Sequence, residues 1–99
     1  MNKQRHIIFF TSLLPTLNAK EALFMSFMIS EFLYANKDWF LVTADQMFQN
    51  TGLSRTQQLP IKKRLYDLEM LETERRGSPP KNWYIINSDK LKRYIPEVV

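Results

Sequence analysis

Cysteine is absent from this chain of 99 residues, and glycine and histidine are scarce, with two residues and one residue. The lack of cysteine excludes a disulfide framework, a thiolate zinc site, an iron–sulfur cluster and a cysteine nucleophile. Because His6 is the sole histidine, a histidine metal site or a Ser/His/Asp triad would depend on it alone. A glycine-rich phosphate loop is missing too. We therefore predict a small binding module, not an enzyme, with no cofactor, no metal, no catalytic residues and no small-molecule substrate.

A long hydrophobic run is also missing. The most apolar stretch, 22–35, holds eleven apolar residues among fourteen, and Glu31 interrupts it. A bilayer-spanning helix needs about 20 mostly apolar residues, so this stretch predicts a buried helix instead. Repeats, linkers and low-complexity tracts do not occur either. We predict one domain covering residues 1–99 of a cytoplasmic protein that does not contact a membrane.

Basic and acidic residues are unevenly distributed along the chain. Residues 1–53 contain four basic and four acidic side chains, whereas residues 54–99 contain ten and six, so the net charge of +4 lies in the second half. Between positions 55 and 64 there are four basic residues and no acidic one. A basic segment of this kind indicates a polyanionic partner.

Apolar periodicity, capping residues and turn signals predict the secondary structure. Asn18, Thr43 and Ser54 are each followed three residues later by Glu or Gln, the pattern of a capping box at a helix start. A turn signal at 77–80 predicts a hairpin. The predicted elements are a strand at 6–11, a helix from Asn18 to about 36, an extended segment at 39–42, a helix at 43–50, a helix from Ser54 to about 70, a hairpin at 71–87 and a short last helix capped by Asn87 or Ser88.

The first predicted helix carries more apolar residues than one stripe requires. Leu23, Phe27 and Tyr34 share one side, while Phe24 and Phe32 lie on another. The helix is then either the central element of the fold or an element with a second face for a partner subunit. The second interpretation predicts a homodimer through the region 22–35.

Two adjacent segments carry a family resemblance. The segment TADQMFQNTGLSRTQQLPIKKRLYDLEM gives a helix, a Thr-Gly-Leu turn and a second helix, and the hairpin LETERRGSPPKNWYIIN follows at once. This order resembles a winged helix-turn-helix domain, and the Gly-Ser-Pro-Pro-Lys turn before an aromatic strand is similar to the wing of phage and plasmid replication proteins. The resemblance implies an α+β, mainly α fold: a three-helix core with a C-terminal β-hairpin wing and a short terminal helix.

The resemblance also implies a partner and a site. The helix at about 54–70 would enter the major groove of double-stranded DNA, and the wing at about 71–87 would contact the backbone or the minor groove. Arginine can bond guanine and glutamine can bond adenine, each through two hydrogen bonds. The implied DNA-binding residues are Arg55, Thr56, Gln57, Gln58, Lys62, Lys63, Arg75, Arg76, Lys81 and Asn82.

Four features depart from the family pattern. Pro60 stands inside the second helix, where proline costs about 3 kcal/mol and bends a helix unless the helix starts there. Gln58 stands where the family has an apolar core residue, a role that Leu59 could take instead. Glu69 replaces the glycine that turns the chain into the wing. Finally, acidic residues at 67, 69, 72 and 74 separate the two basic patches.

Two functions of different classes follow. The first is a DNA-binding protein that acts in replication initiation or transcription control in a bacterium or its mobile elements. The alternative, favoured by the acidic residues, by Pro60 and by the apolar first helix, is a protein-interaction module on the same scaffold that does not read DNA. Fold alone does not decide between them.

Overall fold

A computed structural model of the chain describes residues 7–96. In these residues four α-helices and a three-stranded antiparallel sheet form an α+β fold dominated by helix. A short 3-10 turn, Thr11–Leu13, precedes the first helix. The elements are α1 (Ala19–Tyr34), β1 (Phe40–Leu41), α2 (Ala44–Thr51), α3 (Arg55–Asp67), β2 (Leu71–Arg76), β3 (Lys81–Ile86) and α4 (Ser88–Lys92).

The first three helices begin at the predicted capping boxes. In α1 the Asn18 side chain accepts a hydrogen bond from the Glu21 backbone N–H at 2.8 Å, and the Glu21 carboxylate accepts one from the Asn18 N–H at 3.0 Å. Thr43 starts α2 and Ser54 starts α3 with the same reciprocal pair of bonds. Each box satisfies two backbone N–H groups that a helix start otherwise leaves without a partner.

A short turn joins α2 to α3. Gly52 has φ 78°, a left-handed conformation that glycine adopts without the usual steric cost, and its N–H bonds the Phe48 carbonyl oxygen at 2.7 Å. The next side chain, Leu53, is buried. Helix α3 then runs as one continuous helix through the exposed Pro60, so the proline does not end it.

Helix α1 is the central element of the core. Phe24, Met25, Met28, Ile29 and Phe32 are each at most 1% exposed, so the predicted side with Phe24 and Phe32 is covered within a single copy, whereas on the other side Phe27 is buried and Tyr34 is 74% exposed. Helix α1 is therefore central to the core, and the second interpretation, a face for a partner subunit, stays a prediction. No helix of residues 7–96 is both long and apolar enough to cross a membrane.

The three strands lie in the order β1-β3-β2, with both neighbouring pairs antiparallel. Alternation along the strands gives the sheet two faces. The inner face packs on the helices through the buried side chains Phe40, Leu71, Tyr84 and Ile86. Strand β2 lies at one edge of this sheet, and five of its six residues are exposed.

The strand predicted at 6–11 is wrong for residues 7–11; His6 lies outside the described residues. Residues 7–10 belong to no strand and instead cover part of α1, where the Phe10 N–H donates to the Ser26 hydroxyl at 3.2 Å. Ile7 and Phe10 pack against the core. The β-branched and aromatic composition of the segment reflects burial against a helix, which composition alone does not distinguish from a strand.

Two further boundaries position the hairpin. Between α3 and β2, Glu69 has φ 60°, the left-handed conformation expected where the family pattern has glycine. After β3, the Asn87 side chain caps α4 by accepting hydrogen bonds from the Asp89 and Lys90 N–H groups. Asn87, rather than Ser88, is therefore the cap.

Candidate functional site

A groove of about 600 Å³ lies between the first two turns of α3 and strand β3. Three of the residues that line it are basic, namely Arg55, Lys62 and Lys81, and among the described residues that line it none is acidic. The other lining residues are apolar or neutral polar: Leu41, Val42, Thr43, Ala44, Gln46, Gln58, Leu59, Asn82 and Tyr84.

Gln58 forms the base of this groove and is not part of its exposed wall. Its side chain is 3% exposed, and its amide donates hydrogen bonds to the carbonyl oxygens of Leu53 at 2.9 Å and Ala44 at 3.0 Å. These bonds connect α3 to the start of α2 and to the turn between the two helices. The prediction that Gln58 is exposed is therefore wrong.

Leu59 occupies the exposed position that the sequence analysis assigned to Gln58. It is 64% exposed and lines the groove, so the prediction that it could fill the core is also wrong. Successive helical residues differ by about 100°, so an error of one position exchanges a buried side chain for an exposed one. A signal was present: Gln58 precedes the buried Ile61 and Leu65 by three and seven residues, the spacing of one helical face.

Lys62 is held in place by the sheet. Its Nζ donates to the Tyr84 hydroxyl at 3.3 Å and lies 5.8 Å from the centroid of the Tyr84 ring. Burial raises the pKa of the Tyr84 hydroxyl above its ordinary value of 10.0, so this oxygen stays neutral at physiological pH. Sequence reasoning identified Lys62 but missed the tyrosine that positions it, because the two residues are 22 positions apart.

The hairpin contributes a second wall. Lys81 and Asn82 line the groove. Asn82 lies on the inner face of the sheet, where the Arg75 guanidinium donates to its side-chain oxygen at 3.5 Å from the neighbouring strand, whereas Lys81 is the register partner of Arg76 and belongs to the outer face. Arg75 and Asn82 are register partners, so they lie on the same face of the sheet. The structure thus brings the predicted residues Arg75 and Asn82 beside the groove that Arg55 and Lys62 line.

Arg76 lies on the outer face of the hairpin. Its guanidinium carbon is 4.7 Å from the centroid of the Trp39 ring and 5.5 Å from that of Trp83, and it pairs with Glu74. The alternation of the strand therefore separates Arg75 from Arg76. The guanidinium covers aromatic surface outside the groove and does not line the groove.

Four further residues of α3, three of them implied DNA-binding residues and the fourth an arginine, lie outside the groove. Thr56 and Lys63 are exposed about a quarter turn around the helix from the groove. The Gln57 side chain accepts the Ser54 N–H within the capping box, on the far side of α3. The Arg64 guanidinium lies 3.2 Å from the Glu21 carboxylate and donates to the Thr16 carbonyl oxygen, so it attaches α3 to α1.

The four acidic residues between the basic patches also lie outside the groove. Asp67 pairs with Lys63 at 3.6 Å, and Glu69 lies 3.8 Å from an α4 lysine. Glu72 and Glu74 alternate along β2 with the groove-facing residues and so lie on the outer face of the sheet. Asp45 lies in sequence between two residues that line the groove, Ala44 and Gln46. Its carboxylate is 3.5 Å from the Arg55 guanidinium, and both side chains are exposed.

Comparison of the chain with protein-family models, with curated proteins and with solved structures found no match. Within residues 7–96, no three His, Cys, Asp or Glu side chains gather in a way that could hold a metal ion. The candidate site is therefore defined by its own geometry: a groove with basic residues, a neutral base and two exposed leucines, Leu41 and Leu59.

Proposed function

We propose that the chain binds double-stranded DNA as a winged helix-turn-helix domain, in replication initiation or transcription control. Helix α3 would occupy the major groove and the β2–β3 hairpin would contact the backbone or the minor groove. Support comes from the element order, because α2, a glycine turn and α3 are followed directly by the hairpin. The bonds from Gln58 make α2 and α3 a rigid pair that can present one helix face.

The observation that carries this proposal is the separation of charge around the groove. Arg55 and Lys62 line it from α3 and Arg75 lies beside it on the hairpin, while the acidic residues of 67–74 lie on other surfaces. Phosphate groups bind where Lys and Arg side chains replace condensed counterions. A surface with cations on both walls and neutral side chains between them suits one strand of a DNA backbone.

Fluorescence anisotropy with a labelled random-sequence duplex tests the proposal. Each neutralised phosphate contributes about −0.9 to the slope of log K against log salt concentration. Lys62→Gln and Arg75→Gln should each reduce the magnitude of the slope by about 0.9. Lys20→Gln is the matched control, because it removes the same charge from the start of α1, beside the opposite face of α3.

Two results would contradict DNA binding. One is a wild-type protein that binds no duplex at low salt. The other is a slope that Lys62→Gln and Arg75→Gln change no more than the Lys20→Gln control does.

A second candidate function is protein interaction through the same groove. Leu59 is 64% exposed and Leu41 is 36% exposed, so the groove offers apolar contact area as well as charge. Isolation of a stoichiometric protein complex that Leu59→Ala disrupts, together with no mobility shift on any duplex, would favour this function over DNA binding.

The proposed homodimer has limited surface left on α1. Most of its apolar side chains are buried within one copy, and exposure is concentrated at its C-terminal end, where Tyr34 is 74% exposed. Sedimentation equilibrium of the wild type and of Tyr34→Glu tests this contact. A dimer that the substitution dissociates supports it, and a wild-type monomer across the concentration range excludes it.

A further inference from the structure

Leu59 is an apolar residue within an otherwise basic helix face. Arg55 precedes it by four residues and Lys62 follows it by three, so the three side chains form one stripe along α3. Single exposed leucines are common on protein surfaces. This leucine differs from them because it lines the groove between two cationic residues of α3, Arg55 and Lys62. It is also not part of the buried core.

We propose that Leu59 packs against the 5-methyl group of a thymine, so that α3 carries a thymine-methyl site between two basic contacts. This inference rests on the proposed DNA-binding function. A leucine side chain has no hydrogen-bond donor or acceptor, so it cannot bond a phosphate or a polar base edge. In the major groove the thymine methyl is the apolar group that a standard base pair presents, which makes it the matching partner.

The geometry of α3 also predicts which base Arg55 contacts. Four residues of helix advance about 6 Å along its axis. Successive base pairs are about 3.4 Å apart, so Arg55 reaches a base about two pairs from that thymine. Its pairing with Asp45, at 3.5 Å between two side chains that are 73% and 78% exposed, opposes release only weakly. Because arginine matches guanine, the expected site contains a guanine within about two base pairs of a thymine.

Replacement of thymidine by deoxyuridine tests the inference, since it removes the methyl group and leaves base pairing intact. The preferred duplex is first selected from a random library with the wild-type protein. At one thymine of that duplex, deoxyuridine should weaken wild-type binding about fourfold, the effect of losing one buried methyl-sized group. Leu59→Ala should weaken binding to the thymine duplex, and deoxyuridine should then cause no further loss.

Phe48→Ala is the matched control, because Phe48 is an exposed apolar residue on α2, 53% exposed and outside the groove lining. This variant should retain the full sensitivity to deoxyuridine. The inference is overturned if Leu59→Ala retains that sensitivity, or if no thymine of the selected duplex shows it in the wild type. Either result leaves DNA binding intact when random duplex is still bound with the salt dependence described above, whereas loss of all duplex binding overturns both.

Discussion

Replacement of Gln58 by methionine should destabilise the protein, because Gln58 connects two helices from a buried position. Methionine has nearly the same length and shape but no N–H donor. The substitution therefore removes the bonds to the carbonyl oxygens of Ala44 and Leu53, 3.0 and 2.9 Å long, without opening a large cavity. At 3% exposure, water does not readily replace the lost donor.

The magnitude follows from these two bonds. Each contributes a net stabilisation of about 1 kcal/mol, and a buried acceptor left without a partner costs about 1–3 kcal/mol. We expect Gln58→Met to lower the free energy of unfolding by about 2–3 kcal/mol, a large share of the 5–15 kcal/mol typical of a domain. For a chain of this size, that loss lowers Tm by roughly 10–20 °C.

Urea unfolding followed by far-UV circular dichroism measures this change. Gln49→Met on the exposed side of α2 is the matched control and should stay within about 0.5 kcal/mol of the wild type. If Gln58→Met unfolds at the same urea concentration as the control, the two hydrogen bonds do not hold α2 and α3 together, and the reasoning is refuted.

Three further predictions concern other positions. Glu69→Gly should stabilise the fold by about 0.5–1 kcal/mol in urea unfolding, because glycine adopts φ 60° without the cost that a Cβ atom brings. Burial raises the pKa of both Tyr66 and Tyr84 above 10.0, so the folded state keeps these protons after the unfolded chain has lost them. Stability should fall as pH rises above about 10, and less steeply in the double variant with phenylalanine at both positions. Arg75→Gln should weaken duplex binding in anisotropy measurements, whereas Arg76→Gln should change it less than about twofold, because Arg76 lies on the outer face.

Each of these predictions has a contradicting result. Glu69→Ala keeps the Cβ atom, so equal stabilisation by alanine and glycine would exclude backbone strain as the cause. Identical alkaline unfolding curves for the wild type and the double tyrosine variant would exclude the two hydroxyl groups as its origin. Greater loss of duplex binding in Arg76→Gln than in Arg75→Gln would reverse the assignment of the two hairpin faces.

Local sequence signals predicted most of the elements. The three capping boxes, the left-handed Gly52 and the hairpin depend on residues within a few positions of one another, and all are present in the structure. The strand predicted at 6–11 failed because burial against a helix and pairing in a sheet select the same residue types. That distinction depends on contacts with α1, such as the bond to Ser26, which the local pattern does not contain.

The candidate site was predicted less completely than the fold. Its basic residues were visible as a charged run, but their grouping depends on helix phase and strand alternation. Those two properties placed Gln58 inside, Leu59 outside and Arg76 on the outer face. The contact between Lys62 and Tyr84 joins elements distant in sequence, so it could be found only from the folded chain.

The free edge of β2 has a consequence for how the molecule behaves in concentrated solution. An edge strand presents unpaired backbone N–H and C=O groups to which another chain can add a strand. Four of the six residues of β2 are charged, with both signs represented, and all four are exposed. A second chain that approached this edge would have to displace the water around those charges before its backbone could pair. The charged residues of β2, among them Glu72 and Glu74 on the face away from the groove, therefore also protect the sheet against edge-to-edge aggregation.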